Sequence, residues 1–128
     1  RGSSVQTLTA IGSTRVIPGY NVMGVAKAAL ESAVRYLAAD LGPEGIRVNA
    51  ISAGAVRTAA AMGVPGFRSM YHEGERFAPL RAAVTRREVG QLAAFLASDA
   101  SALITGQVIQ LDAGWSIQAM TGGRPPEA

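Results

Sequence analysis

Arg47-Val48-Asn49-Ala50-Ile51-Ser52-Ala53-Gly54 is the stretch on which the fold turns. Its first six residues read as a strand, and Ala53-Gly54 opens a loop. The near-continuous apolarity suits a strand covered on both faces, as in a parallel sheet, rather than one wetted on one side. Upstream, Gly42-Pro43 halts a helical pattern that starts at about Tyr20. In it Val22, Val25, Ala26, Ala29, Leu30, Ala33, Val34, Leu37 and Leu41 recur at three- and four-residue steps. That apolar face is mostly small, so it predicts close packing against another helix or a sheet.

Further out, Val5 to Ile11 reads as a β-prone strand ending at Gly12. A loop carrying Gly12, Ser13, Pro18 and Gly19 joins it to the helix. Downstream, residues 56–84 read as irregular, with a short helical stretch around Phe67, Met70 and Tyr71. Thr85-Arg86-Arg87-Glu88 has the pattern of a capping box, in which hydroxyl and carboxylate satisfy each other's backbone donors. The helix that it starts runs through Val89, Leu92, Ala93, Phe95 and Leu96 to Ser98-Asp99. After a loop through Thr105-Gly106, Gln107 to Leu111 forms a third strand, and Asp112-Ala113-Gly114 turns the chain out.

Strands alternating with helices predict an α/β fold with a parallel sheet, right-handed crossovers and helices on both faces. Three strands make a thin sheet with a raw edge, so part of the fold is expected to lie outside these residues. The expected organisation is one domain over residues 1–120 and a disordered tail over 121–128, where two Gly and two Pro occur.

Composition narrows the function classes. The 128 residues are 48% hydrophobic and 16% charged, which excludes a disordered chain. No stretch approaches the roughly 20 apolar residues of a membrane helix, and the N-terminal residues carry no secretory pattern. With no cysteine there is neither a disulfide nor a thiolate metal site, and a cytoplasmic protein is the simplest expectation. A net charge of +3 could suggest nucleic acid, but Arg15, Arg35, Arg47, Arg57, Arg68, Arg76 and Arg81 form no block and aromatics are few. Eleven of the twelve basic residues are arginine, leaving Lys27 as the only lysine. A lysine that persists against such a bias can mark a site needing a compact ammonium rather than a guanidinium. Chance on a solvated helix face explains it about as well.

Tyr20 and Lys27 are the pair with chemical potential. Seven residues make almost two helical turns, placing the two side chains on one face about 10 Å apart along the axis. A phenol is neutral at physiological pH and can donate to a developing oxyanion, and a nearby ammonium stabilises negative charge. Spacing alone does not distinguish this from an unrelated surface pair.

A longer pattern does. Thr9-Ala10-Ile11-Gly12, Ile17-Pro18-Gly19-Tyr20-Asn21-Val22-Met23-Gly24-Val25-Ala26-Lys27, Gly42 through Gly54, Arg57-Thr58 and Thr105-Gly106 to Gly114 together resemble the bacterial enoyl-[acyl-carrier-protein] reductases. These form a divergent branch of the short-chain dehydrogenase/reductases in which six residues separate Tyr from Lys. The ordinary branch separates them by three, and Met23 stands at that position here. The resemblance covers about Thr7 to Met120 and implies the C-terminal portion of a Rossmann-like, doubly wound parallel sheet.

It also implies the chemistry. NADH would reduce the trans-2 double bond of an enoyl thioester in fatty-acid biosynthesis. Tyr20 would hydrogen-bond the thioester carbonyl as the enolate forms, and Lys27 would bind the nicotinamide ribose. Val56 and Thr58 would touch the carboxamide and pyrophosphate, at the carboxyl ends of strands where open α/β sheets bind ligands. Met23, Phe67 and Met70 would line the acyl pocket, with residues 59–75 as a lid. The substrate would be linked to acyl carrier protein and the assembly a homo-oligomer, a tetramer in the family, with no nucleic acid, metal or membrane.

Three departures stand against the family pattern. Ala10 replaces a second Tyr, Ala55 a Pro, and Ala113 the first Gly of an Asp-Gly-Gly turn; the last two are expected to be tolerable. No glycine-rich phosphate loop occurs in the sequence. The alternative is therefore a non-catalytic remnant that associates with full-length reductase subunits through its interface helices. His72, among Tyr71, Glu73 and Glu75, is expected to be a solvated lid residue, and Trp115 a packing residue.

Overall fold

Strands β1 (Ser4–Thr9), β2 (Arg47–Ala53) and β3 (Val108–Leu111) form one parallel sheet in the order β1-β2-β3. The structure, a computed structural model, describes residues 2–119, so the tail expected over 121–128 lies outside the described residues. β2 is central and its five middle residues are buried, as its apolar run requires.

Alternation along the strands decides what each face meets. Val48 and Ala50 of β2 pack under Val34 and Ala38 of helix α1 (Val22–Leu41), with Leu41 and Val108 against this cluster. Ser4, Gln6 and Arg47 point to the opposite face. Ser4 Oγ and Arg47 Nη1 both donate to the Leu96 carbonyl, at 2.9 and 2.8 Å, and Gln6 Nε2 donates to that of Ala93 at 3.0 Å. The Leu96 carbonyl is an orphan acceptor in the last turn of α4 (Arg86–Ala97), where a cation also complements the helix dipole; that of Ala93 lies one turn earlier.

The two crossovers thus run over opposite faces while the strands step in one direction, so they have opposite hands. The expectation of right-handed crossovers holds for only one of them. On that face the end of α4 is held by the polar contacts of Arg47 and Ser4, against the usual preference for right-handed crossovers.

The capping box forms as expected. Thr85 Oγ1 accepts from Arg87 N, while the Glu88 carboxylate accepts from the backbone N–H and hydroxyl of Thr85. Those donors hold the Glu88 carboxyl below its ordinary range.

Three boundaries depart from the sequence reading. β1 ends at Thr9 rather than Ile11, because the Ala10 and Ile11 carbonyls close a 3-10 turn over Ile11–Ser13 by accepting from Ser13 N and Thr14 N. α1 starts at Val22, because Asn21 takes φ 36° and bends the chain out of the helix. Residues 56–84 are more ordered than expected, with α2 (Ala59–Met62) and an eleven-residue α3 (Phe67–Phe77). Phe67, Met70, Tyr71 and Phe77 lie on one stripe of α3, but the polar run His72-Glu73-Gly74-Glu75-Arg76 obscures it.

The larger surprise is the orientation of α1. Its buried residues are Gly24, Glu31, Val34 and Ala38, whereas most of its apolar stripe, including Val22, Val25, Tyr36 and Leu37, faces outward. The raw edge is present as well: β1 pairs only with β2, and Leu8 is half exposed.

Candidate active site

The carboxyl end of β1 is where chemically able side chains collect. Gly12 and Gly24 bring the loop after β1 against the first turn of α1: a Cβ on Gly24 would stand 2.6 Å from the Gly12 carbonyl oxygen. Tyr20 lies in the turn ahead of α1, and its ring covers Gly12, where an added Cβ would meet it at 2.3 Å. Glycine is therefore required at both places by close approach rather than by backbone angle. Partial burial pushes the Tyr20 phenol above its ordinary value, so it is a neutral donor across the physiological range.

Lys27 reaches the same region from α1. Its Nζ donates to the Leu8 carbonyl at 2.8 Å, one residue before the end of β1. Tyr20 and Lys27 thus both meet the segment Leu8–Gly12, although the helix does not extend to Tyr20 and the two do not share a continuous helical face. Below Lys27, Glu31 is buried and its Oε1 accepts from Thr9 Oγ1 at 2.6 Å. An open cleft of about 470 Å³ runs along Gly12–Ile17, Tyr20, Asn21, Gly24, Val25 and Ala28. Tyr20 lines it; Met23, Phe67 and Met70 do not.

The remaining expected site residues sit beyond β2. Val56 is half-buried and Thr58 exposed. The Thr58 hydroxyl accepts from Ala61 N at 3.1 Å and caps α2, leaving its own proton free to donate. Met23 is half exposed, Phe67 is buried against Tyr71 and Met70 is partly covered. The Arg57 guanidinium lies 5.2 Å from the Tyr71 ring centroid, clasping the loop after β2 to α3. His72 is exposed and lies 3.7 Å from Glu75, in keeping with a solvated residue. Among the described residues no cluster of His, Asp and Glu could hold a metal, and no helix is long and apolar enough to cross a membrane.

Sequence reasoning missed Gly12, Gly24, Thr9 and Glu31. Glu31 carried a usable signal, a carboxylate four residues after the sole lysine. The glycines carried none, because their role depends on two segments meeting.

A parallel sheet with helices on both faces, and a phenol and an amine gathered beyond a strand's carboxyl end, is the architecture of a Rossmann-like α/β reductase. Comparison with known proteins assigns the family. Residues 1–116 match the model described as Enoyl-(Acyl carrier protein) reductase, and the chain belongs to that family. It is 58% identical over 119 residues to the enoyl-[acyl-carrier-protein] reductase [NADH] FabI of Synechocystis, and 56% identical to that of Escherichia coli. These matches cover 93% of this chain but 46% and 45% of those proteins, so the chain spans about half the length of the relatives. The Bacillus cereus enoyl-acyl carrier protein reductase, solved with NADP+ and indole naphthyridinone, superposes with a TM-score of 0.89 at 52% identity. That match covers 92% of this chain and 46% of the other. The Plasmodium berghei enzyme superposes with a TM-score of 0.91 at 41% identity, covering 94% and 44%.

Proposed function

We propose that this chain supplies the C-terminal half of an NADH-dependent enoyl-[acyl-carrier-protein] reductase that reduces the trans-2 double bond of its thioester substrate in fatty-acid biosynthesis. The observation that carries the reading is the convergence of Tyr20 and Lys27 on Leu8–Gly12 at the carboxyl end of β1. Ligands of open α/β sheets bind at that end.

When bound, NADH supplies a hydride to the β-carbon of the enoyl group. The residues of this chain fit its nicotinamide end: Lys27 offers an ammonium whose present partner is a single backbone carbonyl, and Thr58 retains a free hydroxyl proton. Val56 lies beside Thr58 in the same loop and would contact the carboxamide. Tyr20, held neutral by its partial burial, donates to the thioester carbonyl as negative charge builds there, a contribution realised in the transition state. Met23, Phe67 and Met70 would border the acyl chain, and the segment 59–75 would close over it. The adenine and pyrophosphate side needs a glycine-rich loop that this sequence does not contain.

The test is to join this chain behind the N-terminal half of the Synechocystis relative and to assay NADH oxidation with a crotonyl thioester. Turnover by the joined protein, with little or none by the 128-residue chain alone, is expected. Normal turnover by the chain alone, or none by the joined protein, overturns the reading.

A second reading has its own observation. Val22, Val25 and Tyr36 of α1 are each more than 70% exposed and make an apolar outer surface. That surface suits association with a second reductase subunit, either within a homo-oligomer or as a non-catalytic companion. Sedimentation of the chain with and without an intact reductase separates these outcomes.

A further inference from the structure

Burying a carboxylate is costly unless its oxygens are satisfied, and α1 buries one in its sheet-facing stripe. Glu31 is 7% exposed and Thr9, its hydrogen-bond donor, 5%. No salt bridge neutralises Glu31: the one ion pair among the described residues joins His72 and Glu75. An apolar residue would fill the space between helix and strand at lower cost, so a carboxylate here points to a demand other than packing.

Its neighbours indicate that demand. Lys27 precedes Glu31 by four residues, one turn away on the same side of the helix. The Lys27 ammonium donates to the carbonyl of Leu8, and the Glu31 carboxylate accepts from the hydroxyl of Thr9, the next residue in the strand. Two consecutive residues of β1 therefore hold two consecutive turns of α1. The first contact is exposed and easily exchanged for a ligand; the second is short and shielded from water.

We propose that Thr9 and Glu31 are a positioning pair for Lys27. Their buried hydrogen bond fixes the height and rotation of α1 against the end of β1, so Lys27 emerges at the Leu8 carbonyl and can pass from it to a ribose hydroxyl without the helix shifting. The ribose step rests on the reductase reading above; the placement of Lys27 does not.

Because Lys27 is the only lysine, the 128-residue chain labelled with 13C-lysine reports this side chain alone in a lysine-selective NMR spectrum. The anchored ε-methylene protons are expected to be inequivalent in the unaltered chain and in Thr9→Ser, which keeps the hydroxyl. In Thr9→Val and Glu31→Ala they should collapse toward the single shift of a free lysine. If the Lys27 signals are unchanged in folded Thr9→Val and Glu31→Ala, the proposal is overturned. In the joined protein, the same two substitutions should raise KM for NADH about tenfold with kcat within about twofold, and Thr9→Ser should restore the affinity. A fall in kcat with KM unchanged overturns it in favour of a merely structural bond. A joined protein that binds no NADH overturns the reductase reading instead, and the lysine spectrum still decides the placement.

Discussion

The two faces of the sheet are closed in different ways. On the α4 side the polar groups are spent mostly on backbone. Arg47 donates to the Leu96 and Ser98 carbonyls and to Ser101 Oγ, Ser4 and Gln6 donate to α4, and Asn49 bridges Ile104 O and Gln107 N. On the α1 side closure is made by Val34, Ala38, Val48 and Ala50 and by the glycine contact at the helix start. Polar groups there, Tyr20, Lys27 and Glu31, lie together toward the carboxyl end of β1. One face is stitched by side chains bonded to α4 and to the loop beyond it; the other is closed by methyl groups and gathers Tyr20 and Lys27 at its carboxyl end, with Glu31 bonded beneath them to Thr9. Under the reductase reading proposed above, fold stability and chemistry are placed on opposite sides of one three-stranded sheet.

The sharpest way to break that contrast is to remove function from the α1 side without touching closure. Tyr20→Phe deletes only the phenol oxygen, since the ring that covers Gly12 is retained. In the joined protein, turnover of a crotonyl thioester should fall about 100-fold or more, in the range of a lost general-acid or oxyanion contact. NADH affinity and thermal stability should change little. Equal loss of turnover and of NADH affinity, measured by fluorescence titration, would show that the phenol serves cofactor binding instead. The phenol is also expected to stay protonated beyond the ordinary tyrosine range, because burial raises its value. An alkaline decline in rate set by Tyr20 would then lie above pH ~10.

On the stitched face the same logic gives the opposite outcome. Asn49 is fully buried, and its amide is bonded at both ends, to Ile104 O at 2.8 Å and Gln107 N at 3.0 Å. Asn49→Ala leaves the part-buried Ile104 carbonyl and Gln107 N–H without their partner and opens a buried site, and should lower unfolding free energy by about 2 kcal/mol. Denaturant unfolding of the chain measures it. The loss should be far larger than for Tyr20→Phe; a comparable small effect at both sites would mean that the division between faces is not real.

The sequence made the stitched side more legible than the functional side. Strand β2 and the capping box of α4 could be read because each is written in a short contiguous run: an apolar segment between turns, and Thr85 with Glu88 three residues later. The orientation of α1 could not. Periodicity finds an apolar stripe, but a stripe does not say whether a sheet or another subunit will cover it. Here the larger residues Val22, Val25 and Leu37 face outward, and the sheet takes the side with Gly24, Lys27 and Glu31. Tyr20 and Lys27 were found through the resemblance, and the resemblance does not disclose their supports. Thr9 and Glu31 are 22 residues apart and Gly12 and Gly24 are 12 apart, so the pairings exist only once β1 and α1 are packed.

The smallest expected effect concerns a departure from the family pattern judged tolerable on sequence grounds, Ala113 in place of the first glycine of the turn after β3. The chain gives Ala113 φ +56°, a left-handed conformation that an L residue with a Cβ adopts at a cost of about 1 kcal/mol. The turn persists because its neighbours determine it: Asp112 carboxylate oxygens accept from Gly114 N and Ser116 N at 2.9 Å, and Leu80 N donates to the Ala113 carbonyl at 3.1 Å. Gly114 has no such latitude, since a Cβ there would stand 2.9 Å from Pro79 Cγ. Ala113→Gly should therefore relieve strain, offset in part by the greater freedom of glycine in the unfolded chain, for a net gain of about 0.5 kcal/mol. Ala113 bonds to neither face of the sheet, so the gain should appear equally in wild-type and Asn49→Ala backgrounds and add to each. A loss of stability in Ala113→Gly, or a gain that vanishes when Asn49 is replaced, would tie this turn to the stitched face after all.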